Sequence, residues 1–537
     1  MTADKKTPVL IGLSFGTLNS TLAIVGKDGR GETIANEDGD RSIPSYYAFT
    51  GHGEELAGSQ AKVQAMSNPS GTITQFRNLL GKKFDDEVTK HQIDALFMNI
   101  IASSKDATLP AYETESWPED AEEAKKEEHT PQEVAAKYLR KVRETAENFL
   151  GHSVDGCVIS TPVYFADAER EALLKAVQEA GFGSAYTVHE PVAAALAYDK
   201  VAELNAASNG EKLTVKKDKL VVVLDLGGHQ FNATVLSSNN GLYTIIASED
   251  DEHLGGEEFD EILMKFVASD FKRKTKMDIG NNRRARAKLQ KACEQTKRAL
   301  TRQDNAPCSV ESLFEGQDYH GTVNRMRFES LADSLISRCM SLMRQVLTEA
   351  EVKVEDIDEV LLVGGASNMP LFHRATKNVF PSTTIRTDVE PQEATAVGCA
   401  VQAGIIVSTP ANLDYAAASQ NTDVVNAQHL SHPIGLVLGD GKFLPVLPKR
   451  APIPSRRTVS FGVAEGQKEV YLQVSEQKSE KESILLAELV LSDLPADLKT
   501  SGATIDVVFT IEKDGVLTVS AKEKTSGNVV KAKISRK

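Results

Sequence analysis

One pattern occurs twice in this chain and restricts its fold more than any other feature. Residues 9–25 and residues 220–236 each contain a run of β-branched and other apolar residues, a short glycine turn and a second apolar run. The turns are Gly16-Thr17 in the first copy and Gly227-Gly228 in the second. Each copy predicts a β-hairpin with glycine at its tip. Because the copies lie roughly 210 residues apart, we expect two related lobes that each begin with such a hairpin.

Helical patterns fill the sequence around the two hairpins. Thr130-Pro131-Gln132-Glu133 is a capping box with proline at the first helical position, and apolar residues follow it at helical spacing. The alternation of strands and helices up to about residue 405 is typical of an α/β fold. The charged stretch 117–129 is predicted to be a solvated excursion before the capped helix. Further helices are predicted at about residues 167–180, 256–274, 284–300 and 328–350.

A change of composition after residue 406 indicates three regions. We predict an α/β domain over residues 1–406, an interdomain linker over 407–431 and a small all-β sandwich over 432–537. The linker is rich in Ala, Asn, Ser and Gln. The sandwich region has short alternating strands separated by glycine turns. Its clearest strands are residues 505–511, 516–521 and 529–534.

Charge and composition exclude several classes of protein. The net charge of −15 opposes direct contact with nucleic acid, because phosphate backbones repel an acidic chain. No apolar run approaches the ~18 residues of a membrane span, and no apolar segment at the N-terminus resembles a secretory signal. The five cysteines are scattered and form no CxxC pair, which is typical of reduced cytoplasmic thiols without a zinc site.

Three glycine turns are candidate phosphate-binding loops. A turn without side chains at its apex lets backbone N–H groups approach phosphate oxygens. Gly16-Thr17 and Gly227-Gly228 could do so from two sides, and Gly364-Gly365 follows a strand and precedes a helix, where a nucleotide could approach the helix N-terminus. The alternative is that all three are ordinary tight turns.

A polar stripe on one helix is a candidate nucleoside site. Glu294, Lys297, Arg298 and Thr301 follow i, i+3, i+4, i+7 spacing and share one face. The carboxylate and ammonium could hold ribose hydroxyls, and the guanidinium could stack on a base. The alternative interpretation is a solvated, salt-bridged helix face.

Carboxylates decide whether such a pocket can split a phosphate bond, because hydrolysis needs a metal near the phosphates and a positioned water. Asp225 ends the first strand of the second hairpin, and Glu190 lies in His189-Glu190-Pro191. The first hairpin offers only Ser14 at the position matching Asp225. Asp225 and Glu190 are therefore the possible Mg²⁺ ligands, through water, and half of the expected acidic pair is missing.

At these motifs the sequence resembles the seventy-kilodalton heat-shock chaperone family, the DnaK-like class, over nearly its whole length. The resemblance implies an actin-like two-lobed ATPase domain, a peptide-binding β-sandwich and a helical lid. Pro162 and Arg170 match the family's interdomain coupling pair. The matching segments are residues 43–50, 161–165, 189–191, 253–257, 293–298 and 362–365.

The loops, the stripe and the resemblance together indicate a set of ATP-binding residues. They are Gly16, Thr17, Arg77, Asp225, Gly227, Gly228, Gly256, Glu257, Glu294, Lys297, Arg298, Thr301, Gly364, Gly365 and Ala366.

Several positions depart from the family pattern. Ser14 replaces an Asp of the first loop, and Arg77 replaces the catalytic Lys. In the second loop His229, Gln230 and Asn232 replace a Gly, a Thr and an Asp. Arg77 could hold the γ-phosphate but is a poor proton donor. We therefore expect a pocket that binds ATP and barely hydrolyses it, with no catalytic residue.

The C-terminal region also departs from the family. The family's acidic and leucine-rich linker motif is absent, and the chain ends after the last predicted strand, so we expect no helical lid. This combination resembles the Ssz-type branch of the family. That resemblance implies a stable heterodimer with a zuotin-type J-domain protein, which would reach the ribosome through the partner and assist a separate, active ribosome-bound family member in folding nascent chains.

Two other functions stay open at this point. The chain could be an active ATP-driven peptide-binding chaperone, since the adenosine-side residues are retained. It could also be a small-molecule kinase of the same actin-like fold, although a β-sandwich has no obvious role in such an enzyme.

Overall fold

The computed structural model divides into two compact units, residues 1–236 with 247–421 and residues 237–246 with 422–537. The predicted linker 407–431 falls outside the described residues except at 407, 408 and 430. The described residues are 8–26, 28–51, 53–96, 98–116, 125–208, 219–239, 242–280, 282–408, 430, 432–438, 441–447, 451, 453, 455–462, 467–479, 482–492, 504–512, 515–524 and 527–534.

The first half of the α/β unit begins with the first predicted hairpin. This half also contains a 3-10 turn, Phe76–Leu79. Its strands and helices are β1 Leu10–Phe15, β2 Asn19–Val25, β3 Gly31–Ile34, β4 Ile43–Pro44, β5 Tyr46–Phe49, β6 Glu55–Ala57, α1 Gly58–Gln64, β7 Thr72–Thr74, α2 Glu87–Ala95, β8 Ile100–Ala102, β9 Pro110–Ser116, β10 Lys125–His129, α3 Pro131–Leu150, β11 Gly156–Thr161, α4 Asp167–Glu179, β12 Ser184–His189 and α5 Glu190–Ser208.

The second half begins with the second predicted hairpin. Two further 3-10 turns are Val354–Asp356 and Gly365–Asn368. Its elements are β13 Lys219–Leu226, β14 Phe231–Asn239, β15 Leu242–Asp251, α6 Gly256–Thr275, α7 Arg283–Leu300, β16 Asn305–Phe314, β17 Gln317–Asn324, α8 Arg325–Glu349, β18 Glu359–Val363, α9 Pro370–Val379, β19 Thr384–Arg386 and α10 Ala394–Ser408.

The two halves repeat one sheet topology. The first sheet has the order β12-β11-β1-β2-β3, and the second has the matching order β19-β18-β13-β14-β15. In both, the first strand of the hairpin pairs in parallel with a later strand, β11 or β18. Both hairpins therefore occupy equivalent places, which confirms the two related lobes and the α/β class.

The predicted helices form because their signals are local. Thr130 Oγ1 accepts a hydrogen bond from the Glu133 amide at 3.2 Å, and the Thr130 amide donates to the Glu133 carboxylate at 2.9 Å. This capping box begins α3 as predicted. The excursion predicted at 117–129 is wrong at its C-terminal end. Residues 117–124 lie outside the described residues, but β10 pairs with β9, because its charged side chains find partners such as Glu113, which Lys126 contacts at 2.8 Å.

The second unit contains two antiparallel four-stranded sheets whose inner residues form one hydrophobic core. Their orders are β21-β20-β23-β24 and β22-β25-β26-β27. The absence of a helical lid remains a prediction. The strands are β20 Ile434–Val437, β21 Phe443–Leu447, β22 Ser455–Gly462, β23 Val470–Ser479, β24 Glu482–Leu491, β25 Thr504–Ile511, β26 Leu517–Glu523 and β27 Val529–Ile534.

Packing in the first lobe fixes the segment that carries Arg77. The rings of Phe15, Phe76 and Tyr138 are buried, with centroids 5.4 to 6.0 Å apart. This cluster holds the 3-10 turn against the end of β1.

All five cysteines are buried and free of disulfide bonds. Within the described residues, none of the helices has the length and apolarity that crossing a bilayer requires.

Two crossing helices pack without room for a side chain at one point. A Cβ on Gly398 of α10 would lie 1.7 Å from the carbonyl oxygen of Ala193 in α5. A Cβ on Gly12 of β1 would lie 2.2 Å from the backbone nitrogen of Ala400. Glycine at these positions lets α10 lie directly against both α5 and β1.

We predict that Gly398→Ala destabilises the α/β unit by about 1–3 kcal/mol, because the added methyl group must push α5 and α10 apart. Urea unfolding followed by circular dichroism measures the change. Gly404→Ala in the same helix is the control, since its nearest neighbour is the side chain of Val25 at 3.2 Å. The control should be neutral or slightly stabilising, and equal stability of both variants would contradict the close helix crossing.

Candidate functional site

A large cavity of about 1240 Å³ lies within the α/β unit. It is bordered by the turns of both hairpins, the start of α6, the polar face of α7 and the turn after β18. The structure brings every predicted ATP-binding residue, from Gly16 to Ala366, to the wall of this one cavity, together with Glu190. A cavity of this size can hold a nucleotide.

The turns of the two hairpins have the same internal geometry. The Gly16 amide donates to the Asn19 carbonyl at 3.1 Å, and the Gly227 amide donates to the Gln230 carbonyl at 3.0 Å. The amides at the two tips, Thr17 with Leu18 and Gly228 with His229, make no hydrogen bond within the described residues. Unpaired amides at a turn are suited to bind anionic oxygens such as those of phosphate.

The two turns also touch each other. A Cβ on Gly228 would lie 2.6 Å from the Cδ1 atom of Leu18, so a larger residue there would have to displace the Leu18 side chain. The carbonyls of Gly227 and Gly228 accept hydrogen bonds from the first amides of α6, at Gly256 and Glu257. The two turns and the start of α6 thus contact one another and form one part of the cavity wall.

Arg77 lies at the inner end of the cavity and forms a buried ion pair. Its Nη2 donates to Glu190 Oε1 at 2.8 Å, and its Nη1 donates to the carbonyl of Phe15 at 2.6 Å. The two charged side chains are only 4% and 9% exposed. Burial opposes the charge on Arg77, but Glu190 raises the guanidinium pKa overall. Two of its nitrogens thus make contacts within the protein, and its contact with a γ-phosphate remains a prediction.

Asp225 is buried beside this ion pair. Burial, and then the negative charge of Glu190, raise the pKa of Asp225 to about 7. A protein site for Mg²⁺ needs charged carboxylates that are free to take up bound water or phosphate. Asp225 is only partly ionised near neutral pH, Glu190 is paired, and Ser14 and Asn232 are uncharged. The donor set therefore fits a tightly held Mg²⁺ poorly, and within the described residues no cluster of three or more ligating side chains occurs.

The stripe on α7 lines the cavity, and one member also contacts α6. Lys297 donates to the Gly256 carbonyl at 2.7 Å and to Asp260 at 2.8 Å. A contact of its ammonium with a ribose remains a prediction. Burial raises the pKa of Asp260 to about 6 against the opposing charge of Lys297.

Glu294 and Arg298 stay closer to the predicted arrangement. They bond to each other at 2.8 Å, and Lys62 of the first lobe contacts Glu294 at 3.2 Å. The Arg298 side chain is 65% exposed at the cavity wall, so its planar face is open to a base. The two interpretations of the stripe are therefore both partly realised, since salt bridges form on a face that lines the cavity.

Polar contacts also join the two lobes, and two of their members, Gln230 and Glu257, line the cavity. Tyr164 donates to Gln230 at 2.6 Å, and Gln92 donates to Glu252 at 2.6 Å. Gln75 donates to Glu257 at 3.1 Å. Sequence reasoning missed these partners. Tyr164, Gln230 and Glu257 lie in motifs noted in the sequence, but a single sequence contains no signal that pairs such distant positions.

The predicted coupling pair lies outside the cavity. Pro162 is buried after β11. Arg170 of α4 bonds to the carbonyl of Phe165 and to Asp167, the latter at 2.5 Å. Whether these residues transmit a signal between domains remains a prediction.

Comparison with known proteins identifies the relatives of this chain. The family model described as Hsp70 protein matches residues 10–537. A heat shock protein 70 homolog of Schizosaccharomyces pombe is 33% identical over 562 aligned residues, which cover 98% of this chain and 95% of the relative.

We predict that Glu190→Gln destabilises the protein by about 3–5 kcal/mol, because it leaves the Arg77 guanidinium buried without a counter-charge. Urea unfolding at neutral pH measures the loss. Glu144→Gln removes a carboxylate from an exposed pair with Lys141 and should change stability by less than about 0.5 kcal/mol. Similar small losses in both variants would show that the buried pair is not needed for stability.

Proposed function

The chain belongs to the Hsp70 family, and on that premise we propose that it binds ATP, hydrolyses it little or not at all, and acts as a regulatory co-chaperone subunit. Members of this family are ATPases that bind ATP, usually with Mg²⁺. The proposed partner is a zuotin-type J-domain protein, in a stable heterodimer at the ribosome that assists the folding of nascent chains. The proposed location is the cytoplasm.

The binding half of the proposal is supported by the cavity wall. The unpaired amides of the two turns suit the phosphates, and the open face of Arg298 with Gly364-Gly365 suits the adenosine. These features line one cavity, so a single nucleotide could contact all of them.

The single observation that carries the loss of hydrolysis is the buried pair of Arg77 with Glu190. Phosphoryl transfer to water depends on charges and donors aimed at the phosphate and the attacking water. Here the guanidinium and the carboxylate satisfy each other, Asp225 is only partly ionised, and Ser14 and Asn232 carry no charge. Losing such groups costs several kcal/mol of barrier in total, and each ~1.4 kcal/mol is a factor of ten in rate.

The regulatory role follows from the resemblance to the Ssz-type branch and from charge. A chain of net charge −15 gains little from direct contact with ribosomal RNA. We therefore assign ribosome contact to the partner, and the active chaperone step to a separate family member. Strands β21, β24, β22 and β27 lie at the edges of the two sheets, where an extended partner segment could add a strand.

Single-turnover assays with labelled ATP test the loss of hydrolysis. We expect phosphate release at least a hundredfold slower than that of an active family member assayed in parallel, corresponding to ~2.7 kcal/mol of barrier. Pull-down with ribosome sedimentation, with and without ATP, tests the partner. A rate equal to that of the active member would favour the alternative, an ATP-driven peptide-binding chaperone.

Arg298→Ala tests the nucleoside side of the cavity. We expect ATP affinity to fall about two- to fivefold, since stacking of an exposed guanidinium contributes ~0.5–1 kcal/mol. The thermal shift produced by ATP should shrink accordingly. Arg284→Ala removes an exposed arginine of the same helix that does not line the cavity and should leave affinity unchanged. If both variants bind ATP like the parent protein, the stacking role is wrong.

A further inference from the structure

His229 lies at the tip of the second hairpin turn. It stands where the resemblance implies a glycine, directly after Gly227-Gly228, and it is one of the residues that line the cavity. The imidazole is largely buried, with 15% of the side chain exposed. An ionisable ring at this place bears directly on any anion that the loop binds.

One nitrogen of the ring is anchored and the other is free. Nδ1 lies 2.8 Å from Glu257 Oε2, a carboxylate that also accepts a hydrogen bond from Gln75. The ring contacts His253 edge-on, with centroids 6.0 Å apart. Nε2 has no hydrogen-bond partner among the described residues. The ring orientation is therefore fixed from one side, while Nε2 remains available to a ligand.

The charges around the ring favour its protonated form. Burial alone would lower the pKa of His229, but the hydrogen bond and charge of Glu257 outweigh it and raise the pKa above the ordinary value. Glu258, also on α6, and Glu252, in the turn after β15, act in the same direction. The remaining titratable neighbour is His253, from the same turn.

The inner end of the cavity needs such a group. Arg77 is matched by Glu190, and the carboxylates there fit Mg²⁺ poorly, so the phosphates of ATP would bring charge that the other groups barely offset. The amides of the turns carry only partial charge. His229 lines this cavity, and its Nε2 has no hydrogen-bond partner among the described residues.

We propose that His229, as an imidazolium anchored on Glu257, donates from Nε2 to the phosphates of ATP, so that ATP binding is coupled to proton uptake. This inference rests on the proposed ATP-binding function. It makes ATP affinity dependent on pH in a way that neither the turn amides nor Arg298 would.

The test is isothermal titration calorimetry of the full chain with ATP between pH 6.5 and 8.5. One series contains Mg²⁺, and a second series uses metal-free ATP with excess chelator. Above the imidazole pKa, affinity should fall by up to about tenfold per pH unit. Titration in buffers of different ionisation enthalpy should show uptake of a fraction of a proton per ATP. His229→Gln should reduce affinity roughly tenfold at pH 6.5 and abolish the protein's share of the proton uptake.

His253→Gln is the matched control, because it removes the neighbouring imidazole, which does not line the cavity. It should keep the affinity, pH profile and proton uptake of the parent protein. His229→Gly restores the residue implied by the family and should behave like His229→Gln. Circular dichroism and thermal unfolding verify the fold of each variant, and the proton balance of ATP itself cancels in the comparison.

The outcomes separate this inference from the function on which it rests. If parent and His229 variants bind ATP with the same pH profile and proton uptake, the role of His229 is wrong and the ATP-binding function stands. Weaker binding with an unchanged pH profile would mean a merely structural role and would also overturn the inference. Failure of the parent protein to bind ATP at any pH would overturn the proposed function itself.

Discussion

The ion pair of Arg77 with Glu190 is the interaction on which the inner end of the cleft depends. Burying two charges is costly, and it is tolerable only when each finds its partners. Arg77 meets this condition with Glu190 and the Phe15 carbonyl. The pair thereby ties the end of β1, the 3-10 turn and the start of α5 to one point. The negative charge of Glu190 also helps to raise the pKa of Asp225. The same pair thus contributes to the packing and to the electrostatics of the cleft, and under the proposed function its pairing leaves Arg77 less able to act on a phosphate.

The symmetry of the two lobes explains where the nucleotide cavity lies. Each sheet presents the turn of its first hairpin at the same relative position, so two lobes facing each other bring two glycine turns together. Leu18 and Gly228 can approach closely because residue 228 carries no side chain. His229 then leaves the turn toward α6, where Glu257 receives it. The two turns have the same backbone geometry but different side chains. The ionisable side chains lie on the second turn.

Local signals allowed much of the fold to be predicted. The hairpins, the capping box of Thr130 and the helices α4, α6 and α7 follow from residues close in sequence. The predicted site residues also converge on one cavity, since their motifs mark turns and helix faces. The contacts that these side chains make within the protein could not be predicted. Arg77 and Glu190 are separated by 113 positions, and nothing in the sequence pairs Lys297 with Asp260. Tertiary packing determines which acceptors the donors of a side chain can reach, and a single sequence does not show that packing.

A pocket that binds ATP without splitting it changes what the nucleotide does for the protein. In a relative that hydrolyses ATP, the stabilisation that bound ATP provides is lost after hydrolysis and restored when new ATP binds, in every cycle. Under the function proposed above, it is a constant contribution to the stability of the α/β unit, growing with the logarithm of ATP concentration. The contacts of Tyr164 with Gln230 and of Lys62 with Glu294 act in the same direction, because they already hold the lobes together across the cavity. A unit held closed by its own contacts and by an unhydrolysed ligand is suited to present a fixed surface to a partner. The loss of turnover and the proposed regulatory role therefore have one physical basis, the removal of the step that would otherwise open the cleft.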